Sequence, residues 1–428
     1  MGGIDKQRTY LCIDMKTFYA SVECAERGLN PFETNLVVAD MTRGKNALCL
    51  AITPKLKAMG IKNRCRISEI PNNIKYEIAP PRMQLYINYA ADIYDIFLDY
   101  FSPDDIHVYS IDESFIDITD YLTMYKTGAR MIAKRLMAEI ASRLGIPSTV
   151  GIGTNLYLAK VALDITAKHS KSHIGFLTEE TYQATLWKHR PITDFWQIAK
   201  GTAARLAKYA IYDMEGIAKA PQSLLYKEFG INAELMIDHA FGRESCLIED
   251  IKKYKSKTKS VSYSQILPKD YCYNEARTVI LEMLYNGTRE LMRRKVVTNK
   301  LEIIVGYSKE LIPATGGSIR MTVKTYLPSV MQPYLEKLFD STTDKNIPIR
   351  RLGLSFSNVL SEGNEGYDLF TNLEEVERER RREKTALGIV DKYGKNSLLR
   401  GTNYLDCATQ RERNTFIGGH RAGDDSPR

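Results

Sequence analysis

Histidine, tryptophan and cysteine are scarce or scattered in this chain, and each shortage removes a class of function. Its 428 residues include six histidines, two tryptophans and seven cysteines. The cysteines (Cys12, Cys24, Cys49, Cys65, Cys246, Cys272, Cys407) are odd in number, widely spaced and without a C-x-x-C pair. That pattern argues against a zinc module or a disulfide framework and for reduced, mostly buried thiols. No apolar run approaches the ~18 residues that a membrane span needs. Met1–Arg8 has no apolar segment of the signal-peptide kind, so a cytoplasmic location is the expectation.

What is present is an ordinary globular composition, 44% hydrophobic and 26% charged, long enough for two to four domains. The net charge is +8, and its position matters more than its size. Residues 251–360 hold 19 Lys/Arg against 9 Asp/Glu, an excess larger than that of the whole chain. Such asymmetry suits a polyanion, although charge alone is equally served by a solvated basic face.

Thr9–Met15 reads as a short buried strand that ends at an acid, Asp14, followed by a helix over Thr17–Arg27. Leu36–Ala39 reads as a strand and Pro54–Met59 as a short basic helix. Helical spacing of Leu85, Tyr89, Ile93, Ile96 and Phe97 marks Gln84–Phe101. Two strand-like runs, Ile106–Ile111 and Ser114–Thr119, flank Asp112-Glu113 at a tight reversal. Ile132, Leu136 and Ile140 mark a helix over 127–144. Thr149–Gly153 reads as a strand, and Asn155 as the cap of a helix running to about Lys168. This order suits a ferredoxin-like sheet backed by helices. Short helical pieces fill 191–250. Five lysines without an acid in 252–259 suggest a mobile basic linker. Residues 261–360 then give a second β-α-β-β-α-β order, followed by a charge-dense helix over Leu373–Lys384 and a polar, Gly-rich end.

Carboxylates among strand residues are costly unless paired or metal-bound. Asp14, Asp112 and Glu113 come from two strands that could share a sheet and face one cleft. Oxygen ligands without His or Cys select a hard cation such as Mg2+, and two such ions about 4 Å apart suit nucleotidyl transfer. Asp-Glu pairs are, however, most often turn residues or salt-bridge partners. Lys57, Lys160 and Lys168 could reach a triphosphate as point charges, or be solvated surface lysines.

At these residues the chain resembles a known family. Asp14-Met15-Lys16-Thr17-Phe18-Tyr19-Ala20-Ser21-Val22-Glu23 resembles the first motif of Y-family translesion DNA polymerases, and Ser110-Ile111-Asp112-Glu113-Ser114-Phe115 their second. Val150-Gly151-Ile152-Gly153-Thr154-Asn155, with Leu158-Ala159-Lys160 and Ala167-Lys168, resembles the third. The wording around Lys16 and the long tail look most like the UmuC-like branch, the catalytic-subunit type of bacterial DNA polymerase V. The resemblance implies an α+β multidomain, right-hand polymerase. Its ferredoxin-like palm would be 1–25 and 80–190, its small fingers 26–79 and its helical thumb 191–250. A linker at 251–260 would lead to a DNA-binding βαββαβ little finger at 261–360 and a tail at 361–428.

The resemblance further implies template-directed, low-fidelity synthesis past damaged bases, in DNA repair and the SOS response. Asp14, Asp112 and Glu113 would be the catalytic, metal-binding carboxylates, with the Met15 carbonyl as a further ligand to two Mg2+ ions (or Mn2+). Tyr19 would be the steric gate against a 2′-hydroxyl. Lys57 and Lys168, with Lys160 a weaker candidate, would contact the triphosphate. Primer-template DNA and deoxynucleoside triphosphates would be the substrates, and accessory subunits possible partners. Gly366-Tyr367-Asp368-Leu369-Phe370 resembles a sliding-clamp peptide through Leu369 and Phe370.

Four positions depart from the family pattern. Pro54 stands where the fingers often carry a tyrosine, Gln197 and Ala199 replace two thumb-hairpin glycines, and Gly366 replaces the clamp peptide's leading glutamine. Two other readings remain: a catalytically inactive DNA-binding regulatory subunit, and a nucleotide cyclase on a similar core.

Overall fold

The computed structural model describes residues 8–256, 260–366 and 372–423. The chain forms two compact units, Met1–Tyr254 and Lys255–Arg428. Among the described residues no helix is long and apolar enough to cross a membrane.

The first unit opens with β1 (Tyr10–Met15), in which every residue but Asp14 is buried, and α1 (Phe18–Ala25). A small sheet follows, built from β2 (Leu36–Ala39), β3 (Cys49–Ile52) and β4 (Glu77–Ala79) in the order β3-β2-β4. The short α2 (Pro54–Ala58) follows β3, with Pro at its first turn where the missing N–H costs nothing. This layer has its own core of Val37, Cys49, Ile52, Leu56, Cys65 and Ile67.

The main sheet is completed after α3 (Met83–Leu98) by β5 (Ile106–Val108), β6 (Glu113–Asp117), α4 (Thr119–Met124), α5 (Ala129–Leu144), β7 (Ser148–Gly153), α6 (Leu156–Val161) and β8 (Ile174–Leu177). The strand order is β5-β6-β1-β7-β8, which puts β1 in the middle. β6 and β7 are buried throughout, and β1 everywhere but at Asp14, since both faces of the sheet are covered, so even Glu113, Ser114, Asp117, Ser148 and Thr149 are withdrawn from solvent. Helices α3 and α5 bury Ile93, Ile96 and Phe97, and Ile132, Leu136 and Ile140, as their spacing predicts.

The helix expected over 155–168 is not one regular element. Asn155 caps it, its carboxamide oxygen accepting the Leu158 N–H at 2.8 Å. Beyond Val161, however, the chain widens into a π-turn over Ala162–Thr166 and then tightens over Ala167–His169. The backbone here lies so close to the sheet that only glycine fits opposite it. A Cβ at Gly153 would sit 2.1 Å from the Ala159 nitrogen, and one at Gly175 2.4 Å from the Ala162 carbonyl oxygen.

Short helices α7 (Glu179–Leu186), α8 (Lys200–Ala207), α9 (Met214–Lys219), α10 (Gln222–Phe229), α11 (Asn232–Phe241) and α12 (Ile248–Lys253) finish this unit. They share a core with α6 through Tyr157, Tyr182, Phe195, Leu206 and Leu225. The basic linker expected from residue 251 begins later than its composition suggests. Ile248 and Ile251 pack against Tyr10, Phe115 and Leu156, which keeps 251–253 helical.

The second unit is β9 (Ser260–Tyr271), α13 (Tyr273–Arg293), β10 (Val296–Tyr307), β11 (Thr315–Thr325), α14 (Pro328–Thr342) and β12 (Ile349–Ser357), in the sheet order β11-β10-β12-β9. Its strands alternate buried and exposed residues, unlike those of the first unit. Both helices pack on the buried face around Leu284, Leu301, Leu335, Leu352 and Phe356. The other face stays open, with Ile266 and Ile304 more than half exposed.

The tail is more structured than its composition implies. After β13 (Leu360–Ser361), the helix expected to end at Lys384 continues as α15 (Leu373–Tyr393), because Leu387 and Val390 extend its apolar stripe onto the unit. The polar end folds back as α16 (Gln410–Arg413) and a hairpin of β14 (Phe416–Ile417) and β15 (His420–Arg421). It is fastened by one buried carboxylate. Glu282 of α13 accepts hydrogen bonds from Asn403 Nδ2 (2.7 Å), Thr409 N (2.8 Å), Thr409 Oγ1 (3.2 Å) and Gln410 N (3.2 Å). The clamp-like Leu369 and Phe370 lie outside the described residues.

Candidate active site

Strand register brings the motif acids together. Asp14 on β1 is the direct partner of Glu113 on β6 and of Thr149 on β7, so the three share one face of the sheet. The Met15 N–H donates to the Asp112 carbonyl at 2.9 Å, which sets Asp112 beside the end of β1. Ser110 Oγ donates to Asp112 Oδ1 at 2.7 Å.

A cleft of about 660 Å³ opens here, and Asp14, Met15, Tyr19, Lys57, Asp112 and Lys168 all line it. Among the further polar lining residues, Lys16, Asn63, Arg64 and Thr149 take no site role from the sequence alone. Lys16 was legible only as part of a motif. Arg64 belongs to a loop with no periodic signal, where it adopts a left-handed conformation (φ 60°).

Glu113 and Lys160 do not line this cleft. Lys160 Nζ lies 2.8 Å from Glu113 Oε1 and 3.0 Å from Asp164 Oδ2, and all but a tenth of the Lys160 and Glu113 side chains is buried. The Cys12 thiol adds a hydrogen bond to Glu113 at 3.1 Å. Lys168 pairs with the other oxygen of Asp164 at 2.7 Å, so one relay runs Glu113–Lys160–Asp164–Lys168 from core to cleft. Burial alone would depress the Lys160 pKa, but Cys12, Glu113 and Asp164 outweigh it and hold it above the ordinary lysine value.

Asp14 has no such partner. Burial pushes its carboxyl up to about 7, Asp112 and Glu113 push the same way, and Lys168 and Lys160 only partly offset them. Thr149 Oγ1, in the same row, is buried without a hydrogen-bond partner among the described residues. Among those residues no three His, Cys, Asp or Glu side chains form a ready-made metal cage. A hard divalent cation nevertheless fits what is here: the donors are oxygens, the carboxylate row is short of positive charge, and a buried hydroxyl beside it is unsatisfied.

Tyr19 is held by what lies behind it. Thr17 turns the chain through a left-handed conformation (φ 48°, ψ 45°), unfavourable for a β-branched residue by about 1–3 kcal/mol. Ser21 Oγ, bonded to the Lys16 carbonyl at 2.6 Å, helps to fix that turn. The Tyr19 ring then stacks on Tyr86, with centroids 4.5 Å apart. Tyr86 in turn donates its hydroxyl to buried Glu23 at 2.8 Å, and Arg82 clamps the same carboxylate at 2.8 and 3.0 Å.

The second unit has a candidate surface of a different kind. Its open sheet face forms a concavity of about 770 Å³ lined mainly by small residues, among them Ser262, Ser264, Gly317, Ser318 and Ser355, with Ile304, Glu302 and Arg351 also on it.

Comparison with known proteins agrees with this geometry. Residues 13–164 match the impB/mucB/samB family, and residues 258–369 match the C-terminal domain of the same family. The chain is 32% identical to UvrX of Bacillus subtilis (strain 168), a protein named for UV-damage repair, over 97% of this chain and 98% of that one. It is 28% identical to DNA polymerase IV 2 of the same organism, over 97% and 99%. A solved Y-family DNA polymerase chimera superposes with a TM-score of 0.64 at 20% identity, covering 83% of this chain and all of that one, which shows a shared fold. With both family domains in order and relatives matched nearly end to end, the chain belongs to the impB/mucB/samB family of Y-family translesion DNA polymerases.

Proposed function

We propose that this polymerase extends a primer 3′-end on damaged templates by two-metal nucleotidyl transfer, centred on Asp14, Asp112 and Glu113. The observation that carries this reading is the meeting of Asp14, Asp112, Tyr19, Lys57 and Lys168 in one cleft. Asp14, Asp112 and the Met15 carbonyl would hold Mg2+ (or Mn2+), and Glu113, next to Asp14 in register, would share its charge between cation and Lys160. Bound there, the metal would supply Lewis acidity at the 3′-hydroxyl and charge neutralisation on the triphosphate.

The chain's own residues do the rest. Lys57 and Lys168 attract and orient the triphosphate. Lys160 serves that end indirectly, by fixing Glu113 and by holding Asp164 against Lys168. The Tyr19 ring, backed by Tyr86, bars a 2′-hydroxyl. Residues 26–79 would be the fingers, 1–25 with 80–190 the palm, and 191–250 the thumb. The open, basic little finger at 261–360 would hold duplex backbone without reading sequence, so binding should weaken steeply with salt. Residues 366–370 would engage a sliding clamp, on sequence resemblance alone. The role would lie in the damage response of a bacterial cytoplasm, in keeping with the UV-damage repair for which UvrX is named.

The test is primer extension on undamaged and abasic templates with Mg2+, comparing wild type with Asp112→Ala/Glu113→Ala. Extension by wild type and none by the variant is the expected result. Binding of primer-template without extension, even with Mn2+ and clamp, would overturn catalysis and favour the regulatory-subunit reading.

A further inference from the structure

The first unit carries a second concavity that the polymerase reaction does not use. It lies where the C-terminal ends of α3 and α4 meet α5, has a volume of about 500 Å³, and shares no residue with the catalytic cleft. Its floor is apolar. Ile132 and Leu136 are buried beneath it, and Met131 stands 59% exposed at its edge. Two tyrosines form a wall that is fixed rather than floppy: the Tyr125 hydroxyl donates to the Tyr100 carbonyl at 2.6 Å. A pre-formed bowl of this size and lining suits an apolar side chain of a partner.

The rim has one sign of charge. Lys126, Lys134 and Arg135 all line the pocket, and Arg130 is on α5 with the last two. None of these four has a carboxylate within ion-pair distance among the described residues, although most other cations of this unit's helices do. Arg135 instead lies over the Tyr100 ring, 5.9 Å from its centroid. Lys126 is held in a left-handed turn (φ 49°), which fixes the backbone at the rim. Nucleic acid would be served by an open basic surface, as on the second unit; here the cations surround a greasy bowl.

We infer that this bowl docks an acidic segment of a partner protein, which places one apolar anchor residue on Ile132, Leu136 and Met131 and its carboxylates on Lys126, Lys134 and Arg135. The chemistry requires both halves. The anchor supplies most of the affinity by burial, and the rim charges supply orientation, encounter rate and salt sensitivity. Because the bowl and the cleft share no residue, the polymerase can be tethered there without blocking the site of synthesis.

The test uses the full-length protein and a set of fluorescein-labelled peptides with glutamates flanking Leu-Phe, Leu-Leu, Met-Phe or Trp-Leu, read by fluorescence anisotropy. Saturable binding by at least one peptide is expected. Lys134→Glu/Arg135→Glu should weaken it about tenfold or more at physiological salt, with less effect at high salt, and Met131→Asp should weaken it about tenfold at any salt. All three residues are exposed, so both variants should extend primers as wild type does, which checks their folding. Four outcomes would overturn the inference: no saturable binding by any peptide, equal binding by the variants, equal binding of peptides with Ser-Ser in place of the anchor, or displacement by a single-stranded oligonucleotide. The last would reassign the bowl to nucleic acid.

Discussion

The two units each build a sheet with two long helices, and then use it differently. In the sheet centred on β1 both faces are covered, and its working groups are carboxylates at strand ends, where burial makes charge expensive. In the sheet of β9 to β12 one face is left open, with serines and glycines across it and hydrophobic residues such as Ile266 exposed. The first arrangement concentrates a field in a small volume. The second offers area with few obstructing side chains. A polymerase needs both, and on the proposed function chemistry would draw on the desolvated row of the first unit, and grip on the accessible surface and excess positive charge of the second.

Substitutions can separate the two halves of that contrast. The largest effect is expected from Asp14→Asn, which should lower primer extension at least about 10³-fold, in the range for a group acting only in the transition state. Duplex binding should change less than about twofold, as read by filter binding. A comparable loss of both would mean that the cleft also carries the grip.

Next comes Lys160→Met, which strands buried Glu113, leaves Asp164 with Lys168 alone, and should destabilise the first unit by about 3–5 kcal/mol in urea unfolding. Full stability would show that Glu113 finds another partner. Arg351→Ala on the open face should weaken duplex binding severalfold and reduce the salt slope by about one, with extension at saturating DNA unchanged. An unchanged slope would remove that face from the contact.

The smallest effect is a pH dependence. The folded chain holds a proton on Asp14 up to about pH 7, whereas its ordinary value is 3.8. Between these values the folded state binds more protons than the unfolded, so this contribution favours folding at low pH and is lost as pH rises through 7. Melting in EDTA should therefore decline across that window for wild type more than for Asp14→Asn. Mg2+ should restore stability chiefly above pH 7. A flat difference between the two proteins would place Asp14 in water.

Much of this was legible in the sequence where periodicity or motif spacing was strong. The β-α-β-β-α-β order of the second unit, the helices over Met83–Leu98 and Ala129–Leu144, and the strands bearing Asp14 and Glu113 all follow from burial patterns that composition imposes. Contacts between distant segments were not. Lys160 reads as a cation near a phosphate site, but it is withdrawn to Glu113, because only the folded sheet reveals that the two share a buried layer. Tyr86 has no local mark beyond helical spacing, yet it supports Tyr19. The tail looks like a solvated end because its polar residues, Asn403 and Thr409, are satisfied by a carboxylate more than 120 positions earlier.

That last link bears on how the protein is made. Glu282 leaves the ribosome long before Thr409, 127 positions later, and in the interval its carboxylate lacks the donors that surround it in the finished chain. The second unit can reach its final packing only once nearly the whole chain has been synthesised. A message cut short in its last codons would thus yield a product with Asp14, Asp112 and Glu113 all present and an incompletely folded second unit. Such a product is a ready target for proteases, and a cell is thereby spared a partly assembled mutator.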